Sequence, residues 1–388
     1  MRSVLVVTVG RSDYGIYRPL LERIRASSKL NYRLLVSGGH LSRRAGYTVE
    51  EIEADAQPIA ALLPLPDTLD SQAQTTRAMA TAMSSMADHL AQERPDIILV
   101  LGDRFEMFAI AAASVPFNIP IAHIHGGELS FGAIDDAFRH AITKMAHLHF
   151  ASTAEYAGRI IRMGEEPWRV TVSGAPALDN LLIAKLPERS DLEKRFGISL
   201  ERAPLLVTFH PVTRRIETVQ QEVAAIIMAL QQFDIPIVFT APNVDAGSDV
   251  IRRLIQEFCQ ERPYSFFVES FGALNYLAML RYSAAMLGNS SSGLIETPSF
   301  MLPTVNVGDR QQGRTRARNV IDVEATSEAI AAGLQTALDP SFRAGLAGLV
   351  SPYGDGHAAD RIVKVLEEVD LDAGLLVKRF YDGAEQST

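Results

Sequence analysis

One cysteine, Cys259, in 388 residues excludes an internal disulfide framework and a cysteine-rich metal site, and it fits a reducing cytoplasm. Basic charge is also in short supply. With 46 Asp and Glu against 37 Lys and Arg, the formal net charge is −9, which argues against nucleic acid or an anionic membrane as the main partner, because both require a basic face. Any phosphate-bearing ligand must then be held by local donors. No apolar run approaches the length of a membrane span, and the charged start followed by a short strand over 1–10 has no signal-peptide pattern. No short-period repeat or low-complexity segment is found either. The expectation is a cytoplasmic protein.

What is present is apolar and regularly punctuated. A hydrophobic fraction of 47% supports well-buried cores, and 388 residues exceed what one core usually organises, so two domains are expected. The stretch 98–150 orders the rest. The run Ile97–Leu101, aliphatic throughout and ended by Gly102-Asp103, reads as a buried parallel strand. A second run, over 119–124, ends at His125-Gly126-Gly127-Glu128, and the Ala-rich segment 105–115 between them reads as the crossover helix of a βαβ unit. Ligands in open parallel sheets sit outside the carboxyl ends of the strands, so Asp103 and Glu128 are expected to face one crevice.

Strands alternate with helices throughout residues 1–186, which read as one doubly wound α/β domain. In it a strand over 3–9 leads to a helical pattern over 19–25, and 62–67 reads as Pro-broken. After a charged, turn-rich separator the pattern repeats over 187–369: strands at 205–209, 236–240, 266–268, 285–287 and 304–307, helices at 218–233, 273–282 and 293–298. Two such domains are expected to face one another across a cleft, with 370–388 a polar tail packing back on the first.

Polar clusters fall at strand ends. Gly10-Arg11-Ser12-Asp13-Tyr14-Gly15 offers a phosphate-proximal turn, or an ordinary βα turn; it is not a G-x-G-x-x-G fingerprint. His40, after Gly38-Gly39, reaches a ligand or is a loop histidine bonded to backbone. Gly288-Asn289-Ser290-Ser291-Ser292-Gly293 at a helix start suits a phosphate, or is a serine N-cap only. Glu296 is placed to accept from ribose hydroxyls. Arg310, Arg314 and Arg316 supply forked donors or form an exposed basic loop, and His210 at a strand end could reach the same phosphates. Asp103, Glu128, Asp135 and Asp136, with Arg104, His123, His125 and Arg139, suit proton transfer at carbon; a metal is the weaker alternative, since nothing resembles a known zinc spacing.

Gly102-Asp103-Arg104-Phe105-Glu106, His123-Ile124-His125-Gly126-Gly127-Glu128, the turn from Gly132-Ala133 to Asp136, Arg139-His140-Ala141-Ile142-Thr143-Lys144-Met145, the serine string and Gly308-Asp309-Arg310 together resemble the hydrolysing UDP-N-acetylglucosamine 2-epimerases of sialic acid biosynthesis. The resemblance runs from Arg11 to the Pro352-Tyr353-Gly354-Asp355-Gly356 turn. It implies two Rossmann-like domains of the glycosyltransferase-B type, and conversion of UDP-GlcNAc and water to UDP and N-acetylmannosamine without metal or nicotinamide cofactor. By the same resemblance Asp103, Glu128 and Asp135, with Asp136 beside them, are the catalytic positions. His210, Asn243, Ser290, Ser291, Ser292, Glu296 and Arg310 fall on UDP-binding positions, and Arg11, His40, Arg104, His125 and Arg139 complete the substrate-binding set. A homo-oligomer, dimer or tetramer, is implied as well. Related enzymes with these motifs act on UDP-2,4-diacetamido-2,4,6-trideoxyglucose in the legionaminic acid pathway. Non-hydrolysing relatives typically carry Glu-Ala-Gly-Leu-Arg where this chain has His125-Gly126-Gly127-Glu128, which favours hydrolysis. The competing classes are a retaining glycosyltransferase, which would need an acceptor site, and a nucleotide-sugar sensor, which would have no use for the carboxylates.

Overall fold

Long aliphatic runs form two parallel sheets in the computed structural model, which describes residues 1–66, 71–131, 133–183, 185–212, 216–242 and 247–383. The first sheet is built from β1 (Arg2–Thr8), β2 (Leu30–Ser37), β3 (Ile59–Leu63), β4 (Ile97–Leu101), β5 (Ile121–Ile124), β6 (Leu148–Ala151) and β7 (Val170–Val172). Its order is β3-β2-β1-β4-β5-β6-β7, all parallel. The second contains β8 (Leu205–Thr208), β9 (Ile237–Thr240), β10 (Ser265–Val268), β11 (Ala285–Gly288), β12 (Thr304–Val307) and β13 (Val320–Val323), in the order β10-β9-β8-β11-β12-β13. Both orders reverse direction once, between β1 and β4 and between β8 and β11, as in Rossmann-like sheets, and such a reversal opens a crevice at the carboxyl ends of those strands. Every residue of β4, β5, β8, β9, β11 and β12 is buried, as parallel strands covered on both faces must be. No described helix is long and apolar enough to cross a membrane.

The chain divides into two compact units: Met1–Glu128, Asp135–Leu182 and Tyr353–Thr388 form one, and Leu129–Ile134 with Ile183–Pro352 form the other. The end of the chain thus departs from the expected boundary at 369. Helix Ala358–Glu368 buries Ala359, Ile362, Val363 and Leu366 in the core of the first unit, and Asp179 caps it by accepting from Ala358 N at 3.0 Å and Ala359 N at 2.6 Å.

The first helix begins at Arg11, not at 19, and runs to Ala26 with Pro19 inside it. An interior proline costs about 3 kcal/mol and orphans the carbonyl four residues back. That carbonyl, Gly15 O, instead accepts from the Asn180 side chain at 3.1 Å. Leu20, Leu21 and Ile24, all buried, contribute about 1.5–3 kcal/mol each, so burial outweighs the proline. Segment 62–67 likewise overlaps β3, an edge strand tolerated beside Pro58, whose carbonyl accepts from Leu34 N at 2.7 Å. The second domain also holds helix Ser248–Glu261 and edge strand β13, neither of which was expected.

Candidate active site

In the first unit the polar groups gather where β4 and β5 end. Gly102 takes φ +74°, His125 φ +64° and Gly127 φ +74°, so both strands turn sharply as they leave the sheet. A Cβ on Gly127 would sit 2.5 Å from Tyr156 O, which restricts that position to glycine. The turn delivers Glu128 into the protein: its side chain is 3% exposed, accepts from Ser152 Oγ at 2.7 Å and lies 2.5 Å from His125 Nδ1. Asp103 stays more open, at 21%.

Arg139 connects the two carboxylates. Its guanidinium, 3% exposed, donates to His125 O at 2.7 Å, pairs with Asp103 and lies 3.9 Å from Glu128 Oε2. Burial by itself would lower its pKa; the carboxylates, Asp103 foremost, then Glu128, Asp136 and Asp135, outweigh burial and hold it above its ordinary value. Helix Asp135–Met145 carries Arg139, and Asp135 and Asp136 form its first turn, four and three residues earlier on the same face. Carboxylates are favoured there by the helix dipole. His140 Nε2 is 3.7 Å from Asp136 Oδ2. Arg104 Nε is 3.5 Å from the buried Glu106, and Arg11 is exposed at the start of its helix.

Two buried histidines support strand-end turns. His123 donates from Nε2 to Gly102 O at 2.8 Å, with Nδ1 3.2 Å from Thr143 Oγ1, and burial pushes it down to about 3, so it is neutral. His40 differs from the expectation of a ligand contact: it is wholly buried, with Nε2 2.8 Å from Thr8 Oγ1 and Nδ1 2.8 Å from Thr48 Oγ1. Both ring nitrogens are engaged, and it props the β1 turn. That turn also holds Asp13, to which the sequence pattern assigns no role of its own. Buried and accepting from Val9 N at 3.2 Å, its carboxyl is pushed up by burial to about 6, with Arg104 opposing the rise. Only its place after Gly10 signals it in the sequence. Among the described residues, no three or more His, Cys, Asp or Glu side chains gather as a metal ion would require.

The second unit knits three loops at the ends of β8, β11 and β12. Gly288, at φ +138°, passes so close to Thr208 that any Cβ would overlap its carbonyl oxygen. Asn289 and His210 exchange bonds, His210 N to Asn289 Oδ1 at 2.7 Å and Asn289 Nδ2 to His210 O at 2.8 Å. Asn289 O then accepts from Arg310 Nη1 at 2.9 Å and Gln311 Nε2 at 2.8 Å. Burial, then Arg310, lowers His210 to about 3. A cavity of about 490 Å³ opens here, lined by Phe209, Asn289, Gly308, Arg310, Arg316 and Glu324 among others.

Ser290, Ser291 and Glu296 are half-buried and Ser292 is buried, but the helix expected over 293–298 is a single turn, Ser292–Ile295, continued by a 3-10 turn. A turn that short aligns few peptide dipoles, so what remains for an anion is the serine hydroxyls, local N–H groups and Arg310. Arg314 and Arg316 are not an exposed basic loop. Arg316 pairs with Asp322 at 2.7 Å and donates to Arg314 O and Gln311 O, while Arg314 donates to Leu129 O at 2.7 Å. Asn243 and Gly132 lie outside the described residues.

The family model described as UDP-N-acetylglucosamine 2-epimerase matches residues 22–367. The chain is 36% identical over 390 residues to the polysialic acid biosynthesis protein P7 of Escherichia coli, covering 100% of this chain and 99% of that one. It is 36% identical over 379 residues to the UDP-N,N'-diacetylbacillosamine 2-epimerase (hydrolyzing) of Legionella pneumophila, covering 97% and 99%. Its fold matches the crystal structure of UDP-GlcNAc 2-epimerase from Neisseria meningitidis bound to UDP-GlcNAc with a TM-score of 0.80 at 18% identity, over 94% of this chain and 99% of that one. Its two parallel-sheet α/β domains are of the glycosyltransferase-B type. The chain therefore belongs to the UDP-N-acetylglucosamine 2-epimerase family.

Proposed function

We propose that this protein is a hydrolysing 2-epimerase that converts UDP-GlcNAc and water to UDP and N-acetylmannosamine, for nonulosonic acid synthesis. The observation that carries the reading is the network Asp103–Arg139–Glu128–His125, two carboxylates at neighbouring strand ends joined by one buried guanidinium. A sensor has no use for it. Inversion at C2 proceeds by elimination and hydration. A carboxylate takes the C2 proton as the C1–O bond breaks and UDP leaves, giving 2-acetamidoglucal; water adds its hydroxyl at C1 while C2 receives a proton on the opposite face. Proton carriers on both faces are required, and Asp103, Glu128 and Asp135, with Asp136 beside it, take these roles. Arg139 and His125 hold them, and Arg11 and Arg104 serve the substrate from the same unit. UDP is assigned to His210, Asn243, Ser290, Ser291, Ser292, Glu296 and Arg310. The protein works without a metal or redox cofactor in this reading, as a cytoplasmic homo-oligomer.

A second sugar is favoured by the Legionella relative, named for UDP-N,N'-diacetylbacillosamine. That sugar is a 2,4-diacetamido-2,4,6-trideoxyglucose, on which the same bonds at C1 and C2 would be made and broken. Incubation with each nucleotide sugar alone, followed by product NMR, separates the readings. Release of UDP and N-acetylmannosamine from UDP-GlcNAc supports the first; turnover of the diacetamido sugar alone moves the assignment to the second; no turnover of either refutes both.

A further inference from the structure

The C-terminal segment reaches the end of the helix that carries Arg139. Lys378 donates from Nζ to Lys144 O at 2.8 Å and Ala146 O at 2.6 Å, at the carboxyl end of Asp135–Met145, and pairs with the buried Glu165 at 2.7 Å. Glu165 also receives Lys144 Nζ at 2.6 Å and stands 3.0 Å from His149 Nε2. The segment delivering Lys378 is itself pinned. Arg169, almost wholly buried, donates to Gly374 O at 3.0 Å, Leu375 O at 2.8 Å and Val377 O at 3.3 Å, and Tyr381 N donates to Gly164 O at 2.9 Å. Gly164, at φ +90°, makes room for the Phe380 ring, which any Cβ there would overlap and which lies 5.1 Å from Lys144 Nζ.

The last carbonyls of a helix have no partner within it, and a cation there both bonds them and complements the dipole. The helix so capped is the one that holds Arg139 on Asp103 and His125 O and sets Thr143 beside His123. Lys144 is five residues from Arg139 on a rigid rod. Displacing the capped end therefore displaces the guanidinium that orients the carboxylates.

We propose that residues 374–381 are a strap that sets this helix, and that Lys378 is a positioning residue acting through Arg139. A packing-only tail would alter stability and leave the turnover of folded molecules unchanged. The proposal rests on the reading that the carboxylates perform the chemistry, and its test keeps the two apart. In full-length protein, Lys378→Met retains the aliphatic stem and removes the donors. Measured with UDP-GlcNAc, kcat is expected to fall by about ten-fold or more, since misplacement near 1 Å costs about 10²-fold. The Kd for UDP is expected to stay within about two-fold, amide exchange over 140–146 to accelerate, and Lys378→Arg to restore most of kcat. Phe380→Ala, which leaves Lys378 in place, is expected to act in the same direction to a smaller extent and serves if Lys378→Met does not fold. Wild-type kcat per folded molecule, or a lower kcat with unchanged exchange over 140–146, overturns the strap. If the unaltered protein turns over neither nucleotide sugar, the functional reading fails, and the exchange measurement still decides the strap.

Discussion

Replacing Arg139 by Met tests the site at its centre. The guanidinium is 3% exposed, bonds His125 O at 2.7 Å and Asp103, and lies 3.9 Å from Glu128. Methionine fills most of the stem volume and none of the charge, leaving two carboxylates beside one another and a buried carbonyl without its donor. Breaking a buried ion pair from one side costs about 3–5 kcal/mol. For a unit of this size that lowers the melting temperature by roughly 6–20 °C. Turnover is expected to fall by about 10² or more, because the orientation of Asp103 and the path of the strand end bearing Glu128 both depend on this side chain. UDP affinity is expected to hold within about two-fold, as the assigned nucleotide residues lie in the other unit. Arg139→Lys keeps a charge without the fork, so it should recover part of the stability and little of the turnover. Calorimetric melting, UDP titration and steady-state kinetics on the same preparations check this. Wild-type kcat in Arg139→Met, or a UDP affinity that falls as far as kcat, would refute the network as the catalytic frame.

Asp103→Asn, Glu128→Gln and Asp135→Asn are expected to lose about 10²–10⁴ in rate while binding UDP normally, and the unaltered enzyme run in D₂O should place deuterium at C2 of the product; retained protium there rules out the elimination route. Arg310→Ala should weaken UDP binding by about 1.5–3 kcal/mol by calorimetry. Because Gln311 still bonds Asn289 O, a loss reports the missing guanidinium and not a collapsed loop, and unchanged affinity would move the phosphate site elsewhere. The Asp13 carboxyl, raised to about 6 by burial, stabilises the fold fully below its ordinary value of 3.8, and that stability is lost as pH rises through about 6. Asp13→Asn should therefore gain on the unaltered protein by about 2 kcal/mol between pH 4 and pH 7 in urea unfolding, and a flat difference would contradict the assignment.

The parts of the fold legible in the sequence are those whose causes are local. β4 reads from Ile97 to Leu101 without error because a strand buried on both faces must be apolar at every position and needs a Gly-Asp stop to leave the sheet. Edge strands lack that constraint. β3 is half-exposed between prolines and β13 is half-exposed with Asp322 in it, so neither differs in pattern from a loop. The start of the first helix is not legible because a proline normally marks a helix beginning, and the Asn180 side chain that satisfies Gly15 O is 165 residues away.

The candidate site divides along the same line. Carboxylates at strand ends announce themselves, because polar residues directly after a buried run have no packing reason to be there. Their orientation does not, since it comes from partners on other elements: Arg139 from a helix after β5, and Ser152 beyond β6. His40 shows the converse. A histidine after two glycines has the same sequence signature whether it meets a ligand or stands between Thr8 and Thr48, and the deciding fact is burial. Groups proposed to move protons and groups that hold them in place are thus chemically alike in this chain. They differ in which retains access: Asp103 is 21% exposed, whereas Arg139 and His123 are buried. That difference is why Asp103→Asn, which leaves Arg139 its bond to His125 O and Glu128 3.9 Å away, should cost less stability than Arg139→Met while still removing the chemistry.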